Sequence, residues 1–388
     1  MEELESPFLF GKTVVSEEFI NRKDDINHLW LNMKSGINTA LISPRRWGKS
    51  SLVKHIAQIK SSDKQIKWCF IDMFAVRNEE EFYEKLSREV IKTTAAKWEE
   101  WIESVKFFFK HLVPKISFGI DPILDFSLSF EWEELKKHKD EILNLPEIVA
   151  RKQDVKLVVC IDEFQNVHNF KEAEAFEKLL RSVWQHHENV SYCLYGSKRH
   201  LMSDIFNKKN RAFYLFGDVM LLKKIEVEHW TPFIVERFRK TGKTISETLA
   251  SQIASTMKGH PYYVQQYAHY IWEYTATTAT EALLSICLER LLEVNQILYQ
   301  REIEDLTITQ INLLEAIAKG ETQFTAVKTM ADYRLGTSHN VLKNMKKLQQ
   351  VDIIEKRKNK AIFLDPAFEL WFKMYYLQIL NIKNIWTN

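Results

Sequence analysis

The segment Ser43–Ser51 has the residue types and spacing of a phosphate-binding loop. The apolar run Thr39–Ile42 before it predicts a strand and the spacing after it predicts a helix, which is the context that such a loop requires. Backbone N–H groups would face phosphate oxygens, Lys49 would reach the β- and γ-phosphates, and the Ser50 hydroxyl would bind Mg²⁺. Ser43 stands where the pattern has its first glycine, and a chance loop is the alternative. We expect nucleotide contacts from Pro44, Arg45, Arg46, Trp47, Gly48, Lys49, Ser50 and Ser51.

A second polar motif, Asp162-Glu163, directly follows the apolar run Lys156–Ile161. In this position Asp162 would hold Mg²⁺, commonly through water, and Glu163 would orient and polarise an attacking water. Acidic residues also cap helices that follow strands, so the pair alone leaves that alternative open. The order of the two motifs, each at the end of an apolar run, predicts binding and hydrolysis of ATP with Mg²⁺.

A third apolar run, Tyr192–Tyr195, ends in Gly196-Ser197. If this strand lies between the first and third core strands, Ser197 would face the γ-phosphate and the attacking water as a sensor. An ordinary turn from strand to loop is the alternative.

The elements that must position these residues form an α/β pattern. Most of the predicted strands are continuously apolar, as in parallel sheets that are covered on both faces, and segments with helical spacing separate them. The least regular part, residues 97–145, is predicted to be an insertion with a helix near Phe107–Phe109 and one or two strands near Phe126–Phe130. The predicted core strands are Thr39–Ile42, Ile66–Ile71, Lys156–Ile161, Val190–Tyr195 and Val219–Ile225.

After residue 226 the apolar, strand-like runs stop and segments with helical spacing follow. Residues 306–375 predict short helices followed by a hairpin, the winged variant of helix-turn-helix. The predicted domains are therefore an ATPase core at 1–226, a helical lid at 227–304 and a winged helix at 305–388. The four predicted lid helices, interrupted by the break at Gly259-His260-Pro261, are 228–241, 245–257, 261–275 and 279–303.

Composition is that of an ordinary globular protein: 388 residues, 45% hydrophobic and 27% charged, with a net charge of +2. This balance indicates no polyanionic partner for the molecule as a whole. The four cysteines have no zinc-site spacing, which favours buried thiols in a reducing compartment. No apolar run approaches the roughly 20 residues of a membrane span, and the start of the chain is unlike a signal peptide. We expect a cytoplasmic protein.

These motifs resemble the prokaryotic AAA+/STAND-type P-loop proteins of the archaeal ATPase family. The resemblance implies a parallel sheet of strand order 5-1-4-3-2, a helical lid and a winged helix. It implies that Asn21 and Arg22 lie near the adenine, Pro261 near the base and His260 near the phosphates, although His260 also suits a helix-breaking turn. Many AAA+ proteins have an arginine at this lid position, and the histidine favours a slow, switch-like cycle. The matching segments are Phe19–Arg22, Ile42–Leu52, Val158–Gln165, Gly196-Ser197, Phe213–Gly217, Gly259–Pro261, Asp365–Phe368 and Trp371.

The predicted winged helix is locally basic, with Lys343, Lys346 and Lys347 on its recognition-type helix. This surface would suit the phosphates of double-stranded DNA. A solvated helix face is the alternative, and the resemblance implies a third, docking of this module on the nucleotide domain. The hairpin adds Lys356, Arg357, Lys358 and Lys360.

We expect a Mg²⁺-dependent ATPase that drives a conformational switch and acts on DNA or on a protein partner, with a homo-oligomer as a further expectation. The alternative is a nucleotide-gated winged-helix DNA-binding or scaffold protein with little hydrolysis. A nucleoside kinase fits poorly, because Asp162-Glu163 and a winged helix have no natural place in it. Arg199 and Arg211 are candidates for an arginine finger, or else lie on the solvated surface.

Overall fold

The computed structural model describes residues 5–15, 19–94, 112, 115–118, 126–357 and 360–386. The chain forms two compact units that interleave along the sequence. The core unit consists of Lys23–Ser43 and Lys49–Leu222, and the helical unit of Met1–Arg22, Pro44–Gly48 and Lys223–Asn388. The phosphate-binding loop therefore contributes residues to both units. The predicted domain boundaries at 226 and 304 stay predictions.

The core unit is built on a five-stranded parallel sheet in the order β2-β5-β6-β1-β7. Read from the β7 edge, the five strands in chain order run 5-1-4-3-2, the order that the resemblance implies. Parallel strands end at one common edge, so this topology brings the loops after β1, β5 and β6 together. The strands of the described residues are β1 Thr39–Ile42, β2 Ile66–Asp72, β3 Lys115–Phe118, β4 Phe126–Ser129, β5 Lys156–Asp162, β6 Val190–Gly196, β7 Asp218–Leu221, β8 Ile354–Arg357 and β9 Lys360–Phe363.

Burial explains why the central strands read as continuous apolar runs. Every residue of β1 and β6 is buried, and β5 is buried from Leu157 to Ile161. Helices cover the faces of the sheet, so alternate side chains of a strand both enter apolar surroundings. The helices of the core unit are Lys23–Lys34, Lys49–Ile59, Glu79–Thr94, Trp132–Lys137, Lys139–Gln153, Ala173–Trp184 and Arg199–Asn207.

The last predicted core strand is shorter than the sequence indicated. We predicted Val219–Ile225, but β7 ends at Leu221, and only the N–H of Leu222 still donates to the carbonyl of Ile42, at 3.0 Å. β7 is an edge strand that pairs with β1 alone, and β1 ends at Ile42. Beyond Leu222 the neighbouring strand therefore offers no further acceptor, although the apolar pattern continues to Ile225.

The predicted insertion is described in part. β3 and β4 pair as an antiparallel two-stranded sheet, which confirms extended structure near Phe126–Phe130. The helix predicted near Phe107–Phe109 lies outside the described residues.

The helical unit contains the four predicted lid helices and then the winged helix. After the helix Ser338–Gln350 the chain forms the antiparallel hairpin β8–β9, which confirms the helix-then-hairpin order of a winged helix. Within the described part of the chain, no helix is both long enough and apolar enough to cross a membrane. The helices are Val227–Lys240, Glu247–Thr256, Pro261–Tyr274, Ala282–Glu304, Ile308–Ala318, Val327–Asp332, Ser338–Gln350 and Pro366–Trp371.

Candidate functional site

The loop after β1 passes twice through the left-handed region of backbone space. Arg46 has a φ of 63° and Gly48 a φ of 89°. A Cβ added at Gly48 would meet no atom within 4 Å, so the backbone conformation, and not crowding, favours glycine there. The next helix begins at Lys49. Its first backbone N–H groups have no partner within the helix, and its dipole favours an anion at this end.

Lys49 is buried beside the residue that replaces the first glycine of the loop pattern. Its Nζ donates to the carbonyl oxygen of Ser43 at 3.0 Å and to the Ser43 hydroxyl at 3.4 Å. Both side chains are almost fully buried. A hydroxyl at position 43 therefore adds a contact to the lysine that a glycine would lack, and the departure from the pattern is compatible with a positioned lysine.

Ser50 and Asp162 meet at the carboxyl ends of β1 and β5. The Ser50 hydroxyl donates to Asp162 Oδ2 at 2.6 Å, and the backbone N–H of Glu163 donates to Asp162 Oδ1 at 2.8 Å. Burial raises the pKa of Asp162, and the charge of Glu163 raises it further, while the Ser50 hydrogen bond and the charge of Lys49 lower it. A cation beside Asp162 would offset the cost of burying this carboxylate.

Glu163 lies directly after β5 with a φ of 52° and points to the end of β6. Its Oε2 accepts from the Ser197 hydroxyl at 2.9 Å, from the Ser197 N–H at 3.4 Å and from Gln165 Nε2. Ser197 and Gln165 are both buried. A Cβ added at Gly196 would lie only 1.8 Å from Gln165 Oε1, so glycine allows Gln165 to approach. The carboxylate of Glu163 is thus fixed by side chains on both sides.

The oxygens of Ser50 and Asp162 fit a divalent cation. Mg²⁺ prefers hard oxygen ligands and keeps several waters, so one hydroxyl and one carboxylate are an adequate protein share. A bound Mg²⁺ would neutralise charge on the nucleotide phosphates. We call Ser43, Lys49, Ser50, Asp162, Glu163 and Ser197 the core cluster.

A second group of side chains surrounds Trp47 in the helical unit. Arg22 Nη2 donates to the Trp47 carbonyl at 3.0 Å, and the Trp47 and His260 rings meet nearly at right angles with centroids 6.2 Å apart. Lys224 Nζ lies 5.7 Å from the centroid of the Trp47 ring. We call Arg22, Trp47, Lys224 and His260 the loop–lid cluster.

His260 occupies the break between two lid helices. Gly259 has a φ of 65°, and Pro261 is the first residue of the next helix, with His260 at its N-cap. Burial lowers the pKa of His260 well below its usual range, and the charges of Lys224 and Arg46 lower it further. The imidazole is therefore neutral at pH 7 and supplies no positive charge.

Arg46 connects the loop to the winged helix within the helical unit. Its guanidinium lies 4.6 Å from the centroid of the Tyr262 ring, and Nη1 donates to Tyr263 Oη at 3.3 Å. Tyr263 Oη donates to Asp365 Oδ2, and Tyr299 Oη donates to Tyr263 Oη at 3.2 Å. Asp365 Oδ1 accepts from two backbone N–H groups at the start of Pro366–Trp371, each at 2.9 Å. One chain of hydrogen bonds thus joins loop, lid and winged helix.

Comparison with known proteins assigns the chain to a family. A family model described as "ATPase domain predominantly from Archaea" matches residues 19–267. The chain belongs to this ATPase family. A second model, described as "probable winged helix domain", matches residues 297–374. No curated protein matches the sequence.

Solved structures share the fold of this archaeal-type ATPase. The Walker-type ATPase of Pyrococcus abyssi is 18% identical with a TM-score of 0.67, and the match covers 96% of this chain and 99% of that one. The ORC2 protein of Aeropyrum pernix is 15% identical with a TM-score of 0.59, over 97% of this chain and 96% of that one. Both likenesses span nearly the whole length and concern the fold alone.

The remaining predicted nucleotide contacts of the ATPase differ in their surroundings. Arg45 is exposed, Pro44 is buried, and Asn21 and Ser51 are half-buried. Asn21 has a φ of 34° and precedes Arg22, whose φ is 71°. The roles predicted for these residues stay predictions.

Arg211 does not lie on the solvated surface, which was one of the two alternatives for it. Only 14% of its side chain is exposed, and it contacts Glu174 Oε1 at 2.9 Å and Glu177 Oε1 at 2.5 Å. These two carboxylates belong to its own core unit, and the role of Arg211 as an arginine finger stays a prediction. Arg199 is half-buried at the start of its helix, and its role stays a prediction.

The winged-helix lysines lie on the surface of the helical unit. Lys343, Lys346 and Lys347 are all exposed along Ser338–Gln350, as are Lys356 and Lys360 of the hairpin. Arg357 is exposed but pairs with Glu355, its Nε 2.7 Å from Oε2. Lys358 lies outside the described residues.

Sequence reasoning missed four side chains that the structure brings to these clusters. Gln165 follows Glu163 by two residues, and an amide so close to an acidic strand end was the available signal. No sequence signal indicated a role for Lys224, which lies in the predicted strand Val219–Ile225. Tyr263 lies in the predicted lid helix 261–275 and Asp365 in a matching segment, but nothing in the sequence indicated that they pair.

Proposed function

We propose that this chain binds ATP with Mg²⁺ and hydrolyses it to drive a conformational switch. The observation that carries the proposal is the core cluster itself, in which Ser50 meets Asp162 and Ser197 meets Glu163 at the carboxyl ends of β1, β5 and β6. Membership of an archaeal ATPase family supports the same activity. The related fold of Aeropyrum pernix ORC2 was solved in ADPNP-ADP complexes, which supports an adenine nucleotide as the ligand.

Each residue of the core cluster has a proposed role. Lys49 exchanges its contact with Ser43 for an interaction with the β- and γ-phosphates. Ser50 and Asp162 hold Mg²⁺. Glu163 accepts a hydrogen bond from the attacking water and orients it towards the γ-phosphate, while Ser197 fixes Glu163 and senses that phosphate. The carboxylate needs no reorientation before reaction, because its partners already hold it.

The nucleotide contacts proposed outside the core cluster follow the loop and the lid. The loop backbone from Pro44 to Gly48 faces the phosphates, Asn21 and Arg22 lie near the adenine, and Pro261 lies near the base. His260 is neutral and cannot stabilise charge on the phosphates as an arginine would. This supports a slow cycle suited to switching.

Replacement of Glu163 tests the assignment. Glu163→Gln keeps the size of the side chain but removes the charge that polarises water, so steady-state ATP turnover should fall at least about 100-fold while ATP still binds. Glu188→Gln is the matched control, since the Glu188 side chain is 77% exposed in the same unit. Unchanged turnover in Glu163→Gln would contradict the proposed mechanism.

A second candidate function is binding of double-stranded DNA through the winged helix. The specific observation is the row of exposed lysines, Lys343, Lys346 and Lys347, for which the described residues offer no ion-pair partner. Exposed cations on a recognition-type helix suit phosphate contacts, which weaken steeply with salt. A protein client and a homo-oligomer stay predictions.

Duplex binding at increasing salt tests this candidate. The double variant Lys343→Gln with Lys346→Gln should weaken binding. It should also reduce the magnitude of the slope of log affinity against log salt by about 2, because the protein makes two fewer phosphate contacts and binding releases fewer counterions. Lys240→Gln, on the exposed end of a lid helix, is the control for net charge. A wild-type protein without duplex affinity at low salt would exclude the DNA function.

A further inference from the structure

The long helix Ala282–Glu304 of the helical unit leaves a row of apolar side chains exposed. The exposed fraction is 48% for Ile286, 61% for Val294 and 68% for Ile297. Their spacing of 8 and then 3 residues places them on one side of the helix. A single exposed apolar residue is ordinary on a protein surface, but several on one side of a helix indicate an interaction site.

Two carboxylates share this side of the helix. Glu289 and Glu293 are exposed, and neither forms an ion pair within the described part of the chain, whereas the neighbouring Arg290 contacts Glu273 at 2.9 Å. Burial raises the pKa of Tyr375, and the charges of Glu289 and Glu293 raise it further, so this half-exposed tyrosine lies beside them. The acidic face consists of Ile286, Glu289, Glu293, Val294 and Ile297.

The helix Ser338–Gln350, in the same unit, presents the opposite charge. Lys343 and Lys347 are exposed, and the residues that the structure describes provide no ion-pair partner for either. Leu342 is 60% exposed, and Val351, directly after the helix, is 46% exposed. The basic face consists of Leu342, Lys343, Lys347 and Val351.

The two faces match in spacing as well as in charge. Each has two charged residues and then an apolar residue, every fourth along the chain, and residues four apart are neighbours on a helix surface. Two parallel helices would bring each glutamate opposite a lysine and the two apolar residues together. Because both faces are exposed in a single copy, they do not cover each other within it. The matching residues are Glu289, Glu293 and Ile297 on the first helix and Lys343, Lys347 and Val351 on the second.

We propose that the acidic face of one copy of this chain binds the basic face of a second copy. Complementary charges specify the partner and its orientation, and the apolar residues provide the buried contact. Because two different surfaces meet, each copy keeps one free face of each kind, and the assembly extends or closes into a ring. The contact is separate from the proposed function, since no residue of either face belongs to the core cluster.

Sedimentation velocity of the full chain, from about 1 to about 100 µM, provides the test. The wild type should associate more as its concentration rises, and less as added salt screens the exposed charges. Ile297→Asp places a charge in the apolar part of the contact and should raise the dissociation constant at least about tenfold. Val327→Asp is the matched control, because Val327 is 81% exposed in the same unit and belongs to neither face. Circular dichroism checks the folding of each variant.

Charge reversal identifies the surfaces that meet. Glu289→Lys with Glu293→Lys gives a chain with two basic faces, and Lys343→Glu with Lys347→Glu gives a chain with two acidic faces. Each double variant should stay monomeric alone, because only like charges can face each other. An equimolar mixture of the two should associate as the wild type does, because opposite charges meet again.

Four results would overturn the proposal. The first is a wild type that stays monomeric over the whole range at low salt. The second is association that persists in each double variant alone, which would place the contact elsewhere. The third is a mixture of the two folded double variants that does not associate. The fourth is a monomeric wild type that binds duplex DNA through Lys343 and Lys347, which would assign these lysines to DNA alone.

Discussion

The core cluster and the loop–lid cluster use polar side chains in opposite ways. In the core cluster each functional group has a protein partner: Lys49 with Ser43, Ser50 with Asp162 and Glu163 with Ser197. In the loop–lid cluster Trp47 Nε1 and His260 Nδ1 are buried without such a partner in the described part of the chain, and Lys224 Nζ faces the Trp47 ring. The polar groups of the first cluster hydrogen-bond to one another, and those of the second pack around an aromatic ring.

This difference has consequences for substitutions. Catalysis requires groups whose orientation is set before the reaction, and the Glu163 carboxylate, which Ser197 and Gln165 hold, meets that requirement. Changes around Glu163 should therefore act mainly on turnover, and changes in the loop–lid cluster mainly on the stability of the helical unit.

Substitution of Gly259 should break the loop–lid cluster and leave the core cluster intact. Gly259→Ala places a Cβ against the Ile225 carbonyl at a backbone φ of 65°. The combined clash and conformational cost should lower the free energy of unfolding of the helical unit by about 2–4 kcal/mol, measured by urea denaturation. ATP affinity should fall with it.

Gly242→Ala separates the two contributions to that cost. Gly242 has a φ of 72°, but an added Cβ would meet no atom within 4 Å. This variant should lose only about 1–2 kcal/mol, the cost of the left-handed conformation. Equal losses in the two variants would contradict the close approach between Gly259 and Ile225.

Removal of Gln165 should weaken the core cluster without affecting binding. Gln165→Ala deletes one of the donors that hold the Glu163 carboxylate, so kcat should fall about tenfold with little change in KM. The exposed Gln185→Ala serves as control. A rise in KM at constant kcat would mean that Gln165 binds nucleotide and does not position Glu163.

Much of the fold follows from local patterns. The apolar runs located the five core strands because buried parallel strands carry apolar residues on both faces. The exception was the last strand, which ends at Leu221 although apolar residues continue to Ile225. Its length depends on where β1 stops, and hydrophobic patterning cannot reveal where a neighbouring strand ends.

The candidate site also contains residues that the sequence predicted and residues that it did not. Lys49, Ser50, Asp162, Glu163 and Ser197 were predictable because each lies in a motif at the end of an apolar run. Arg211 and Lys224 were not, since their environments depend on segments far away in the sequence. Arg211 is held by Glu174 and Glu177, and Lys224 lies beside Trp47. No local sequence pattern links either residue to these neighbours.

The most direct test of the account is the steady-state kinetic comparison of Glu163→Gln with the exposed control Glu188→Gln at increasing ATP. The account predicts that Glu163→Gln loses at least about 100-fold in kcat at every ATP concentration, while Glu188→Gln keeps the wild-type kcat. If Glu163→Gln retained the wild-type kcat, the proposed catalytic role of the core cluster would be wrong.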